Sequence, residues 1–489
     1  MLDIQRFRAE YGGDPEVVRE SQRRRGADEK LVDAVVEADK VWRAAQHTLQ
    51  HVRGDLSQAK AAAHAARTER PDEAAQQLEQ VRLLTAAAAS AVESEAGAQA
   101  RVHGALLGIG NLVHEHAPLC GDADGEAIRG HEAAAAAPAT SKRGERERAA
   151  LPPLVKSLVS AELAEPCGGG SWRPTGRGLL LREQATSLAL SHLAERGYSL
   201  LAMPMHTPSA RLQRLAKMGV RLAGASPLPP PPPPPPPHEK KQQQHEEEQQ
   251  RYDHRGPVVD CAWDVLASRH GGEWLQQQHL PLRYATLRPV GSLDDGGGGS
   301  GSDGSGGDGG ECGGGVEVCV CEVWPDDGGS WEALEALVEL SVELHGRLGI
   351  GARCSAREVA APQLRHAEAR AFRLVAEPAT PQTPPQAQTP VNASSATASD
   401  ATVAAPDATA ARSTPSVSVE LGRVASHVDF ESRRLEVRCG AKQLLSRTKR
   451  YVHVLHATVL RPTSCLLALA AVAPDALRDS DGCTWPGGS

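Results

Sequence analysis

Aromatic side chains are scarce in this chain: Phe, Tyr and Trp together make up 3% of 489 residues. Interiors must be built from Ala, Leu and Val, whose small side chains each remove little apolar area from water, so modest stability is expected. No apolar run suits a signal peptide or a membrane span. The ten cysteines are scattered without a CxxC pair, which argues against a disulfide scaffold or a zinc ribbon. Acidic residues at Asp3, Glu10, Asp14 and Glu16 leave no visible transit peptide. Together these absences fit a reducing, soluble compartment, and a cytoplasmic location is expected. The formal net charge of −8 argues against a protein that coats nucleic acid generally.

What is present begins with a heptad pattern. Apolar residues recur in alternating steps of four and three at Leu31, Val35, Ala38, Trp42, Ala45, Leu49, Val52, Leu56, Ala59, Ala63 and Ala66, the signature of a long coiled-coil helix. Arg67 to Asp72, carrying Pro71, interrupts the stripe and places a chain reversal there. A second register follows at Ala74, Leu78, Val81, Ala88, Val92, Val102 and Leu106, weakened by Thr85, Glu95 and Gln99 on the same stripe. The spacing predicts an antiparallel helical hairpin with arms of about 36 residues projecting on the order of 50 Å. Acidic residues slightly outnumber basic ones along it. Arg43, Arg53, Lys60, Arg67 and Arg70, with Arg82 and Arg101, are its candidates for phosphate contact, although solvated helix faces carry such residues routinely.

Beyond the hairpin, residues 121–165 read as a linker rich in Ala, Gly and charge. Low-complexity insertions follow at about 226–255 (a proline run, then Gln, Glu and His), 294–315 (Gly, Ser and Asp) and 377–418 (Pro, Thr and Ala). Between them lie ordinary elements. GLLLREQATSLALSHLAERGYSLLAMPM predicts a helix with Leu188, Leu190 and Leu193 on its apolar face, stopped at Gly197, then a strand from Ser199 to Met205. VEVCVCEVW predicts a strand whose period-two cysteines, Cys319 and Cys321, face inward rather than binding metal with Cys312. After it Ser330 is a candidate N-cap, and Gly346 or Gly349 a helix stop.

The words MLDIQRFR, DPEVVRES, RRRG, the hairpin and the exit LLGIGNLVHEHAP resemble, in order, the N-terminal domain of seryl-tRNA synthetases. HLPLRYATL, DFESRRLEVR and YVHVLHAT resemble strands of the same family's class II catalytic domain. The resemblance implies an α+β fold: an antiparallel coiled-coil hairpin at residues 1–120 that lies on tRNA(Ser), then a class II antiparallel sheet flanked by helices over 166–489. It further implies a homodimer, serine and ATP as substrates, and Mg2+ as cofactor, while the lack of an apolar run leaves no membrane partner expected. Residue by residue it puts Glu420 on the glutamate that holds ATP-bound magnesium, Glu317 on a family glutamate, Thr458 on the residue that contacts the serine side chain, and Ser426 on an asparagine near the substrate.

The chain departs from the family elsewhere. The triplet that holds the serine amino group falls on Cys261, Ala262 and Trp263. The phosphate-clamping Phe-Arg-x-Glu falls on Gly291, Ser292, Leu293 and Asp294, the Asn-Gly turn on His456 and Ala457, and the third motif's arginine on Ser464. Arg288, four residues early, and Arg461, three residues early, are the displaced phosphate-ligand candidates. Arginine suits that task because its planar fork donates paired hydrogen bonds and stays charged. Losing such donors is expected to keep positive charge out of the triphosphate pocket and leave serine unactivated. Three readings follow: an ATP-dependent serine ligase, a non-catalytic tRNA- or protein-binding relative, and an incomplete gene model of an active synthetase.

Overall fold

A computed structural model describes residues 1–119 (70 excepted), 127–129, 155, 157–168, 171–202, 266–290, 315–325, 328–377, 418–440 and 449–472. The expected insertions at 226–255, 294–315 and 377–418 lie outside these residues apart from Gly315, Glu377 and Ser418. So do Cys261 to Trp263 and Gly291 to Asp294.

The N-terminal part holds α1 (Pro15–Arg24), α2 (Lys30–Glu69) and α3 (Pro71–Leu107). Asp14 accepts a hydrogen bond from the Glu16 amide and Pro15 occupies the first helical turn, so α1 has both of the usual start signals. The hairpin seam buries Val35, Leu49, Ala59, Ala63, Val102 and Leu106. Leu31, Leu78 and Val92, placed on the stripe by the heptad count, are 37%, 50% and 42% exposed, while Val32 beside Leu31 is fully covered. Glu95, an apparent fault in the stripe, accepts the Trp42 indole N–H at 2.7 Å across the two arms. A half-buried indole N–H is shielded from water and takes such an acceptor, so the polar residue has a packing reason.

The remainder is organised on an eight-stranded sheet in the order β1-β8-β9-β10-β12-β7-β6-β4. Its strands are β1 (Ala127–Arg129), β4 (Ser199–Leu201), β6 (Leu282–Val290), β7 (Gly315–Trp324), β8 (Cys354–Glu358), β9 (Arg370–Ala376), β10 (Val419–Val428) and β12 (His453–Leu460). Every pairing is antiparallel except β4 with β6. Two short ribbons, β2 (Ala164–Gly168) with β3 (Ser171–Pro174) and β5 (Trp274–Leu275) with β11 (Arg438–Cys439), complete the strands.

Side chains alternate across the sheet, so its two faces separate cleanly. On one face Ala285, Val318, Val320, Val424, Leu455, Ala457 and Val459 pack with α4 (Gly176–Glu195), α5 (Gly329–Arg347) and α7 (Pro462–Val472) in the largest core. On the other, Tyr284, Cys321, Val323 and Val454 are covered by Leu266, Leu275, Leu435, Val437 and Val452. That second cover stops short of the ends of β6, β7 and β12, and there the sheet turns polar. The expected cap at Ser330 is displaced: α5 starts one residue after Gly328, which adopts a left-handed φ of 92°. Ser330 lies inside the first turn, its hydroxyl 2.8 Å from His453 Nδ1. Gly349, with φ 76°, ends the same helix as anticipated.

The two parts are joined by polar contacts around residues 364–369. Asn111 Nδ2 donates to the carbonyls of Ala367 and His427, each at 2.8 Å. Arg25 donates to the carbonyls of Asn111 at 2.9 Å and Arg365 at 3.0 Å, and also to that of Glu368. Phe430, at the start of α6 (Phe430–Arg434), inserts among Leu2, Phe7, Leu106 and Ile109.

Candidate active site

The polar end of the sheet is a grid of rows set by strand register. In the first row Arg288 of β6 pairs directly with Glu317 of β7. In the next, Thr286, Cys319, Thr458 and Arg423 lie opposite one another across β6, β7, β12 and β10. Residues two apart on one strand share a face, so both rows face away from the helices.

Glu317 is the centre of the first row. Its Oε2 accepts from Arg288 Nε at 3.1 Å and its Oε1 from Arg461 Nε at 3.0 Å. Arg461 also reaches β10, where its Nη1 lies 3.2 Å from Glu420 Oε1. Burial pushes the Glu317 carboxyl up, but Arg288 and then Arg461 outweigh it and hold the group below its ordinary value. Ionised Glu317 is thus sustained by two guanidiniums in a mostly dry setting.

Two features place Arg461 here. Its backbone N–H donates to the Leu421 carbonyl at 3.1 Å, and its own carbonyl accepts from the Cys465 amide at 3.0 Å. It therefore sits where α7 begins, with Pro462 as the first helical residue. Ser464, the residue that falls on the family's arginine, is buried in that first turn at 2% exposure. Arg461, three residues before Ser464, thus carries a guanidinium to this face.

Thr458 points onto the same face, its Oγ1 3.7 Å from Cys319 Sγ. Thr286 flanks Cys319 on the other side. It is 2% exposed, and its hydroxyl has no hydrogen-bond partner among the described residues. Ser426 is not brought to the group. It pairs with Leu455 and Arg370, whose side chains lie on the helix-facing side, an odd number of residues from Arg423. Glu317 and Glu420 supply the carboxylate oxygens that magnesium favours. No cluster of three or more His, Cys, Asp or Glu suited to a metal occurs among the described residues. That donor set fits Mg2+ held by one or two carboxylates together with substrate phosphates, rather than an all-protein cage.

On the hairpin, Arg53 and Lys60 are exposed along α2. Arg43 is turned back onto the body, ion-paired with Glu10 at 2.7 Å and Asp39 at 3.0 Å. The side chains of Arg67 and Arg70 lie outside the described residues. Residues that sequence reasoning missed are Thr286, Arg423 and the interdomain pair Arg25 and Asn111. Alternation along RYATLR could have placed Thr286 on the face of Arg288, since the two are separated by one residue.

Comparison with known proteins follows the same outline. Residues 1–113 match the seryl-tRNA synthetase N-terminal domain family. A serine–tRNA ligase of Helianthus annuus is 26% identical over 476 residues, covering 96% of this chain and 92% of that protein. The cytoplasmic serine–tRNA ligase of Arabidopsis thaliana is 25% identical over 478 residues, covering 96% and 90%. Among solved structures, the cytoplasmic serine–tRNA ligase of Naegleria fowleri in complex with AMP superposes with a TM-score of 0.62 at 20% identity, covering 100% of this chain and 98% of the other. Seryl-tRNA synthetase from Pyrococcus horikoshii complexed with ATP gives 0.64 at 16%, covering 96% and 93%. The fold is shared with both.

Proposed function

We propose that this chain, which belongs to the seryl-tRNA synthetase family, attaches serine to tRNA(Ser) through a seryl-adenylate formed on the polar end of its sheet. The observation that supports activation of serine is the convergence of Arg288 and Arg461 on Glu317, beside Glu420.

Adenylate formation has the serine carboxylate attack the α-phosphorus of ATP, with pyrophosphate leaving. It depends on holding the reactants together and on countering phosphate charge, not on a covalent enzyme intermediate. Arg461 and Arg288 stand in for the missing motif arginines. Their forks match phosphate oxygens, and the carboxylates that hold them in the free protein keep them extended over the sheet. Thr458 offers its hydroxyl to the serine side chain. Magnesium, bound through Glu420 and Glu317, would neutralise phosphate charge. The hairpin lies along helical RNA of tRNA(Ser) by shape and backbone contact, with Arg53 and Lys60 facing phosphates. Relatives named cytoplasmic support a cytoplasmic location, and the family resemblance supports a homodimer.

The test is charging of a tRNA(Ser) transcript with labelled serine by the full chain. Serine-dependent, ATP-dependent product above background supports the proposal. A gel shift of the same transcript without charging would favour the non-catalytic, tRNA-binding reading instead.

A further inference from the structure

Two histidines stand one turn apart on the outer side of the hairpin. His47 and His51 belong to the unbroken helix α2 and both are exposed. A spacing of four residues puts them on one helix face, one above the other. Their ring centroids are 4.3 Å apart, and the two Nε2 atoms converge to 3.2 Å.

That spacing suits a shared ion. Zinc holds an imidazole nitrogen at ~2.0–2.1 Å, so two imidazoles in neighbouring positions on one ion keep their nitrogens about 2.9–3.4 Å apart. Between neutral rings, one Nε2 carries a proton and donates it to the other. When that ring carries its proton on Nδ1 instead, both Nε2 lone pairs face one point. The surroundings favour a cation. Arg43, one turn before His47, is drawn away onto Glu10 and Asp39. Asp55 continues the stripe one turn after His51 and has an exposed carboxylate. Another close pair lacks this arrangement: His114 Nδ1 accepts the His116 amide at 3.3 Å, and the His114 ring packs on Trp331 with centroids 4.3 Å apart.

We infer that His47 and His51 form a two-histidine site for a divalent transition-metal ion of the zinc type. Paired histidines four apart on a helix are a spacing by which helices take zinc, and imidazole selects such ions over magnesium, which prefers oxygen. No third His, Cys, Asp or Glu completes the set among the described residues, so water fills the remaining positions. The site is separate from the carboxylates of the sheet and does not depend on serine activation.

The experiment treats the full chain, kept reduced without thiols, with diethyl pyrocarbonate in the presence and absence of Zn2+, and maps the modified histidines by mass spectrometry. Zinc should lower modification of both His47 and His51 at least fivefold, while the exposed His279 changes less than twofold. Mg2+ at the same concentration should protect neither. Calorimetric titration with Zn2+ gives a second readout. One binding step should weaken at least tenfold in His47→Asn and in His51→Asn, and no further in the double variant, because a single imidazole cannot chelate. Full modification of both histidines at saturating zinc, or an unchanged titration in the double variant, overturns the site. Protection of one histidine alone overturns the two-ligand assignment.

Discussion

Arg461 and Glu317, 144 residues apart in sequence, meet at 3.0 Å where the start of α7 faces the end of β7. The contact brings a guanidinium from outside the expected motif position to the polar end of the sheet. Arg461→Met should lower the rate of serine activation by about 10²–10³, the usual loss when one charge-stabilising donor is removed. Steady-state kinetics would register this chiefly in kcat, with the fold preserved by circular dichroism.

Gly422 is held by close backbone approach. A Cβ built there would meet the Thr458 carbonyl oxygen at 2.3 Å, a contact no side chain can accommodate without moving β10 from β12. Gly422→Ala should cost about 1–3 kcal/mol in urea denaturation and displace Thr458 from Arg423. An unshifted denaturation midpoint would show that the strands separate easily.

His345 is wholly buried in α5, its Nδ1 2.8 Å from the Ser341 carbonyl, and burial lowers its pKa from 6.5 to about 4. The unfolded chain takes up the proton first. Stability is therefore full above pH 6.5 and falls as pH drops toward 4, by about 3 kcal/mol from this residue. His345→Leu should flatten that part of the Tm-against-pH curve, measured by thermal melts between neutral pH and pH 4.

Glu317 gives the complementary acid limb. Its carboxyl is depressed in the folded protein, so its stabilising contribution is present above the ordinary carboxylate range and is lost as pH falls through the lowered value. In Glu317→Gln that loss should disappear, and the slope of stability below pH ~4 should become shallower.

Arg25 binds the helical part to the sheet-bearing part through the backbone carbonyls of Leu364, Arg365 and Glu368, and burial drops its pKa to about 10. Arg25→Ala should strand those carbonyls and weaken docking by about 2 kcal/mol or more. Limited proteolysis should then release the two parts faster than in the wild type. Shortening both hairpin arms by one heptad each should, separately, abolish retention of tRNA(Ser) in a gel shift while leaving the sheet's thermal transition in place.

The hairpin could be read from the heptads because a period near seven on both arms permits few other structures. The strands Leu282–Val290, Gly315–Trp324 and His453–Leu460 are equally clear from the LPLRY, VEVCVCEV and YVHVLHAT stretches. Arg461 was harder. Counting onward from HAT lands on Ser464, inside the helix that begins at Pro462, and gives no sign that Arg461 turns onto the sheet face. The row of Thr286, Cys319, Thr458 and Arg423 was invisible for a different reason: its members become neighbours only through the register of β6, β7, β12 and β10, which no local pattern reveals. Glu95 shows the converse, a residue that looked like a fault until the Trp42 indole was placed opposite it.

The most direct measurement is serine-dependent ATP–pyrophosphate exchange by the purified full chain. Exchange that requires serine and drops by at least about a hundredfold in Arg461→Met is the predicted result. No exchange above background at saturating serine and ATP, in a protein that melts cooperatively, would contradict it.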